Sequence, residues 1–334
     1  SRIPTAQEEA AYKDGVVTLN KDGQLRFMSQ RAYSVAQKDM STLDSDSLPV
    51  QALLCNNKGS LFAFTNFGNL IKLDITNLPE KKFKEKPFKA GAVCPDVVTG
   101  EYVVKLVFFD GTPVGEFVLY TEQGNAKRVD INEFTSVGKS YLQAIVLDKD
   151  DRLINAEPVS DELYTVEITK DGQVLAYSTL EIPLQGRRAA GVKGIKLNDG
   201  DAVAFAGQVQ EEGELIVMST EGSIKKVITS TIEMTSRYLK GVKIIELEKM
   251  QDANGITINV GTIEGGNYKH DTGNVYGGKS ADGAANNNKV GVVNSTGALV
   301  GAATYFTAGY VNGGYGKTAA VGNEVNLGID AKVL

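Results

Sequence analysis

The chain of 334 residues has no tryptophan, one histidine and two cysteines, and each scarcity removes a class of function. With His270 the only imidazole, Ser–His–Asp and Cys–His catalytic sets and multi-histidine metal sites are not expected, and no cofactor is called for. Cys55 and Cys94 make neither a disulfide framework nor a CxxC pair, and read as free thiols of a reduced cytoplasm. No apolar run approaches the roughly 18 residues of a membrane helix. The start, Ser1-Arg-Ile-Pro-Thr5, lacks the charged-then-apolar pattern of an export signal, and it lacks an initiator Met, as a cut or processed piece would. A Gly-x-x-x-x-Gly-Lys phosphate loop is missing, and the acid pairs Asp150-Asp151 and Glu211-Glu212 read as turn acids. The net charge of −6 excludes a uniformly basic nucleic-acid binder but leaves open where Lys and Arg cluster.

What the sequence does have is a repeat. Five segments align on a turn glycine: Val17-Thr-Leu-Asn-Lys-Asp-Gly23-Gln-Leu-Arg26, Phe64-Thr-Asn-Phe-Gly68-Asn-Leu-Ile-Lys72, Tyr120-Thr-Glu-Gln-Gly124-Asn-Ala-Lys127, Ile168-Thr-Lys-Asp-Gly172-Gln-Val-Leu-Ala176 and Met218-Ser-Thr-Glu-Gly222-Ser-Ile-Lys225. The glycines lie 45 to 56 residues apart. Each follows a run such as Leu61-Phe-Ala-Phe64 or Glu116-Phe-Val-Leu-Tyr120, which has the period of a half-buried strand. A glycine that takes φ > 0 then turns the chain into a second apolar run, which is the signature of a β-hairpin.

A second landmark precedes four of the glycines by 21 to 23 residues: an acid leading into an apolar strand, at Asp46-Ser-Leu48, Glu101-Tyr-Val103, Asp151-Arg-Leu153 and Asp201-Ala-Val203. A further strand is marked by Gly191-Val-Lys-Gly-Ile-Lys-Leu197 and Gly241-Val-Lys-Ile-Ile-Glu-Leu247. Each copy therefore supplies about four short strands, one propeller-type blade, and blades bury their faces only by stacking round an axis. Helix signals are weak throughout. The expected architecture is all-β: a linker over 1–13, five blades in a ring over 14–250, and a β extension over 251–334.

The frame Asp-x-Val … Thr-x-x-Gly-x-x-Lys-Arg … Gly-Val-x-Gly-Ile-x-Leu resembles the C-terminal β-pinwheel of the A subunits of bacterial type IIA topoisomerases, DNA gyrase and topoisomerase IV. It is strongest in Thr121-Glu-Gln-Gly-Asn-Ala-Lys127-Arg128, in Gly191 to Val203 and in Ser219-Thr-Glu-Gly-Ser-Ile-Lys225-Lys226. The resemblance implies a five-bladed β-pinwheel that bends or wraps duplex DNA on its outer rim. It also implies a cytoplasmic setting, partners in the form of a separate catalytic core and a B subunit, and no catalysis in this stretch. Gyrase pinwheels carry a Gln-Arg-Arg-Gly-Gly-Lys-Gly box. The nearest stretches here are Gln185-Gly-Arg-Arg-Ala-Ala-Gly-Val-Lys-Gly194, assigned to the fourth blade, and Gln30-Arg31-Ala32 in the first. Both break the spacing, which favours bending over full wrapping.

Binding a duplex without sequence preference needs cations along one path. The hairpin-end residues Arg26, Lys72, Lys127, Arg128, Lys225 and Lys226 recur in four blades, and Arg31, Arg187, Arg188, Lys193 and Lys196 add to them. Blade four has Ala176 in their place. Such charges also protect strand edges from aggregation, which is their plainer role. The run Lys81-Lys-Phe-Lys-Glu-Lys-Pro-Phe-Lys89, assigned to blade two, is either a DNA-touching loop or a solvated insertion.

From about Gly255 the composition turns to Gly, Asn, Ala, Thr and Val. Tyr276-Gly-Gly-Lys-Ser … Asn288-Lys-Val290 recurs about 36 residues on as Asn312-Gly-Gly-Tyr-Gly … Asn323-Glu-Val325. This tail resembles the Gly-rich repeats of autotransporter-like surface proteins, and suggests a β-solenoid fragment or an irregular extension. With the acidic net charge, it supports an alternative reading of the chain: a protein-interaction or cell-surface adhesive module without DNA binding.

Overall fold

The computed structural model describes residues 11–37, 48–218 and 224–244, with short strands between 257 and 326. Asp46, Gly222, His270 and residues 1–10 lie outside the described residues. Strands β1 (Asp14–Asn20) and β2 (Leu25–Met28) form the first hairpin, and β3 (Pro49–Asn56) follows. The second hairpin is β4 (Ser60–Thr65) and β5 (Asn69–Leu73), followed by β6 (Val103–Phe109). The third is β7 (Glu116–Thr121) and β8 (Asn125–Asp130), followed by β9 (Tyr141–Gln143) and β10 (Leu153–Pro158). The fourth is β11 (Tyr164–Thr169) and β12 (Gln173–Tyr177), with β13 (Val192–Lys193) and β14 (Val203–Val209) after it. The fifth is β15 (Glu214–Met218) and β16 (Ile224–Ile228), then β17 (Met234–Thr235) and β18 (Val242–Lys243). Among the described residues helix is confined to α1 (Gln30–Gln37), α2 (Asn132–Thr135) and short 3-10 turns.

The hairpin turns show what the repeated Thr-x-x-Gly does. The hydroxyls of Thr65, Thr121 and Thr169 accept the backbone N–H four residues on, at 3.3, 3.0 and 3.2 Å. In the first turn Asn20 Oδ1 does the same work, accepting from the amides of Asp22 and Gln24 at 3.1 and 2.8 Å. The glycine then needs left-handed backbone, and Gly68, Gly124 and Gly172 have φ of 79°, 82° and 84°. The landmark acids lock these turns from outside. Asp151 Oδ1 accepts the Gln123 amide at 2.9 Å, Asp201 Oδ1 the Asp171 amide at 3.0 Å, and Glu101 the Thr65 hydroxyl at 2.6 Å.

Those bonds correct the expected blade boundaries. Each acid serves the hairpin before it, not the one after, so β6 pairs with β4, β10 with β7 and β14 with β11, all antiparallel. The edge beyond the second hairpin strand is filled by the following repeat: β9 joins β5, β13 joins β8, and β17 and β18 join β12. The contact has one form in blades one, three and four. The incoming chain touches in parallel (Phe27–Glu80, Arg128–Leu184, Ala176–Met234), loops out, and returns antiparallel (Leu25–Phe88, Ala126–Val192, Val174–Val242). The amides of Ile145, Gly194 and Ile244 then bond the carbonyls of the turn glycines Gly68, Gly124 and Gly172 at 3.1, 2.7 and 2.8 Å. A copy in the sequence is therefore spread over two blades in space.

Interlocked blades bury both faces of each of the first four hairpins, not one. Leu61 and Ala63 pack toward blade one with Val17, Leu25 and Phe27, whereas Phe62 and Phe64 pack toward blade three. There Phe117 meets Phe62 and Phe64 edge-on, with ring centroids 5.8 and 4.9 Å apart. Between blades three and four the core is Val118, Tyr120, Leu175 and Tyr177, and between four and five it is Val166, Ile168, Leu215 and Val227. One carboxyl is buried in this packing. Glu167 Oε2 accepts the Tyr177 hydroxyl at 2.8 Å, and its Oε1 has no partner among the described residues. Burial pushes its pKa up to about 8, with Tyr177 opposing. Gly194 makes room for it, since a Cβ there would stand 2.4 Å from Glu167 Oε2.

In the tail, β19 (Thr257–Gly261), β20 (Val275–Tyr276), β21 (Lys279–Ser280), β22 (Lys289–Val293), β23 (Val311–Asn312), β24 (Tyr315–Gly316) and β25 (Glu324–Asn326) are joined in parallel among the described residues. The register joins the residues that mark the tail repeat: Tyr276 with Asn312, Lys279 with Tyr315, and Lys289 with Glu324.

Gly191→Ala tests the interlock. Gly191 has φ of 82°, and a Cβ would meet the Ala126 carbonyl at 2.5 Å. A loss of about 1–3 kcal/mol in urea-induced unfolding is expected. Glu167→Gln tests the buried carboxyl. A folded-state pKa raised from 4.5 to about 8 stabilises fully below pH 4.5, and that stability is lost as pH rises toward 8. Wild-type unfolding free energy should decline by at most about 1.4 kcal/mol per pH unit in that window from this group, and Glu167→Gln should remove that component.

Candidate nucleic-acid interface

Where the incoming chain loops out between its parallel and antiparallel contacts, it forms an outer loop on the edges of blades one to four. Residues 81–87 make this loop on blade one, 185–191 on blade three and 235–241 on blade four, with 136–140 the counterpart on blade two. Two stretches thus change blade from the sequence expectation. The Lys81 to Lys89 run edges blade one, not two, and the Gln185 to Gly194 stretch edges blade three, not four. In the first, Phe83 and Phe88 are buried while Lys82, Lys84, Lys86 and Lys89 are exposed, so an anchored loop presents the lysines. Other outer-loop cations that reach solvent are Lys139, Arg188 and Lys240, with Arg187 half-buried beside Arg188.

The hairpin-end cations occupy two neighbouring positions that face opposite sides of the strand: Arg26, Lys127 and Lys225 at one, Lys72, Arg128 and Lys226 at the other. Most of them hold backbone. Arg26 is 3% exposed, and its guanidinium donates to the Glu85 carbonyl at 3.0 Å and stands 5.5 Å from the Phe83 ring. Lys127 is 0% exposed, and its Nζ donates to the carbonyls of Gly186, Arg187 and Ala189 at 3.1, 3.0 and 3.0 Å. Lys72 donates to the Val137 carbonyl and Lys225 to that of Ile244. Arg128 pairs with Glu116 at 2.5 Å and Lys226 with Glu214 at 2.6 Å, the same cross-strand arrangement in blades three and five.

Arg26 and Lys127 are therefore closed to a phosphate, because burial has already committed them to carbonyls. Burial pulls the Lys127 ammonium down to about 8, opposed by Glu133, and lowers Lys72 as well. What these anchors hold is the outer loop of their own blade. Of the remaining cations expected at the rim, Arg31 is exposed on α1, and Lys193 and Lys196 are exposed where β13 leaves the blade-three loop. Lys139 and Lys240 join them without having been singled out by the repeat frame. Aligning Gly191-Val-Lys193 on Gly241-Val-Lys243 is the signal that places Lys240 in a second outer loop.

Successive loops touch through backbone. The Val146 amide donates to the Ala189 carbonyl at 3.1 Å, joining blade two to the loop of blade three. The Lys196 amide donates to the Leu239 carbonyl at 2.9 Å and the Tyr238 amide to the Gly194 carbonyl at 2.6 Å, joining the loops of blades three and four. These bonds tie the blade-three loop to blade two, and the blade-four loop to the segment that carries Lys193 and Lys196. Nearby cations elsewhere are neutralised: Arg152 and Lys170 both bind Glu122, at 2.6 and 2.8 Å. Among the described residues no group of His, Cys, Asp and Glu could hold a metal ion, and no helix is long and apolar enough to cross a membrane.

Lys127→Met should separate anchoring from presentation. It removes all three carbonyl contacts, and a loss of about 2 kcal/mol in stability is expected. The Ala189 amide, which donates to the Gly186 carbonyl at 3.0 Å, should exchange its hydrogen faster than in wild type, while the Ala176 amide in the β12 core should not.

A sequence profile of the family described as "DNA gyrase C-terminal domain, beta-propeller" matches residues 59–86, 116–160, 168–210 and 213–252. The A subunit of DNA topoisomerase 4 from Bacillus subtilis (strain 168) is 29% identical over 253 residues, covering 72% of this chain and 30% of that protein. Its counterpart from Streptococcus pyogenes serotype M1 is 28% identical over 240 residues, covering 70% and 29%. The chain thus spans about 30% of the length of the curated relatives it matches. Among solved structures, the C-terminal domain of DNA topoisomerase IV aligns with a TM-score of 0.62 at 25% identity, covering 71% of this chain and 74% of that one. The E. coli ParC C-terminal domain aligns with a TM-score of 0.54 at 12% identity over 71% and 96%, a likeness of fold alone. The likeness is throughout to a non-catalytic domain. By frame, fold and these similarities, the blades of this chain form a C-terminal β-pinwheel domain of the kind found in the A subunits of type IIA topoisomerases.

Proposed function

We propose that the pinwheel is a cytoplasmic DNA-binding and DNA-bending accessory domain, acting with the catalytic core and B subunit of a type IIA topoisomerase. The observation that carries the reading is the division of labour among its cations. Buried anchors such as Arg26 and Lys127 fix outer loops, and those of blades one to three present Lys82, Lys84, Lys86, Lys139, Arg187 and Arg188, while the unanchored loop of blade four adds Lys240. Lys193 and Lys196 extend the same surface. A rigid set of spaced cations suits a polyanion read by its phosphates and not by its bases. The net charge of −6 does not oppose this, because acids such as Glu122 and Glu167 lie in ion pairs or in the core.

Fluorescence anisotropy with a linear duplex across about 50 to 200 mM salt tests the reading. Wild type should bind with an affinity that falls steeply with salt. The double variant Lys84→Glu, Arg188→Glu should flatten the slope of log K against log salt by about 2, whereas Lys127→Met should leave the slope unchanged. A protein whose loop variant binds with the wild-type slope does not use this surface.

A further inference from the structure

The outer loop of blade four departs from the others at its apex. Aligning the antiparallel edge contacts Leu25–Phe88, Ala126–Val192 and Val174–Val242 places Lys84, Arg188 and Tyr238 at one position. Where blades one and three have a cation, blade four has an aromatic ring. Tyr238 also has φ of 67°, left-handed backbone that a bulky residue rarely adopts. Among the described residues, Asp150 is the only other non-glycine with positive φ.

That backbone is held from several sides although the anchoring cation is absent, its position being Leu175. The Tyr238 amide donates to the Gly194 carbonyl at 2.6 Å, and the Leu239 carbonyl accepts the Lys196 amide at 2.9 Å. Thr235 Oγ1 donates to the Ala176 carbonyl at 3.2 Å, and the Arg237 amide to Glu181 Oε2 at 2.9 Å. The Arg237 guanidinium reaches the Lys193 carbonyl. None of these bonds covers the side chains: Tyr238 remains 49% exposed and Leu239 48%. Around the ring stand cations, with the Lys196 ammonium 6.0 Å from its centroid and Arg237, Lys240 and Lys193 on the same pair of loops.

An exposed ring set by strained backbone amid cations has the chemistry of a nucleic-acid wedge. The cations neutralise phosphates on either side, and an apolar group enters a base step and opens it, which kinks the duplex. We propose that Tyr238, backed by Leu239, is such a wedge and fixes the point at which bound DNA bends. This rests on the duplex-binding reading above and adds to it a specific residue and step.

End-to-end energy transfer in a short linear duplex labelled at both ends, with binding read in parallel by anisotropy, tests the wedge. Tyr238→Gly is the informative variant, since glycine relieves the positive φ and cannot fail by misfolding at that point. It should bind within about tenfold of wild type, with the same salt slope, and lose the approach of the duplex ends. Tyr238→Phe should keep both binding and bend. Three results would overturn the wedge while leaving DNA binding intact: a wild type that binds without bending, a Tyr238→Gly that still bends, or a Tyr238→Phe that does not. A Tyr238→Gly that changes the sedimentation of the free protein but not the bend would assign the ring to protein–protein contact, and so overturn it too. A wild type that does not bind duplex at all overturns the functional reading, and the wedge with it.

Discussion

The pinwheel depends on one backbone exchange: the open edge of each of the first four hairpins is closed by chain from the next repeat. The Gly124 carbonyl accepts the Gly194 amide, and Ala126 pairs with Val192, so two segments nearly 70 residues apart share a sheet. Other features follow from this closure. The turn glycine must be bare because the incoming backbone passes over it, with Ile195 O only 3.0 Å from a Cβ at Gly124. Gly191 and Gly241 must be bare where the incoming strand arrives. The acids Asp151 and Asp201 hold the turn in the shape that the incoming strand meets.

A buried ammonium is costly unless its hydrogens find oxygen. The exchange supplies that oxygen, because the loop turns three carbonyls toward the ammonium, and a carbonyl that already accepts one amide can accept a second donor. The three carbonyls thus offset the burial of Lys127, and the contact fixes the loop that carries Arg187 and Arg188. Blade four lacks the anchor and relies on side chains and on the neighbouring loop.

Much of this is legible in the sequence, and the part that is not has a physical reason. The hairpins, their glycines and the acid landmarks are local, so the five copies can be counted by eye. The exchange is non-local and leaves no mark in a single copy. For that reason sequence order alone puts Lys81–Lys89 and Gln185–Gly194 one blade too late. Leu61-Phe-Ala-Phe64 shows the same limit. Its apolar residues are consecutive because both faces are buried, whereas a strand period taken alone makes the run half-buried. The candidate site is legible in composition but not in exposure. Arg26 and Arg188 look alike in a sequence, and only burial separates the residue that holds a loop from the one the loop presents.

The exchange also orders events while the chain is being made. Leu25 waits for Phe88, Asn69 for Gln143 and Ala126 for Val192, gaps of 63, 74 and 66 residues. At ribosomal speeds of about 5–20 residues per second, each hairpin stands with one edge open for roughly 3 to 15 s. An open edge of this kind is a template for pairing with another chain, and lysine or arginine on it is a known deterrent. Arg26, Lys72 and Lys127 lie on those very edge strands, and are solvated until the closing segment arrives. The same side chains that later disappear into a ring of carbonyls are then the guard on an unfinished sheet.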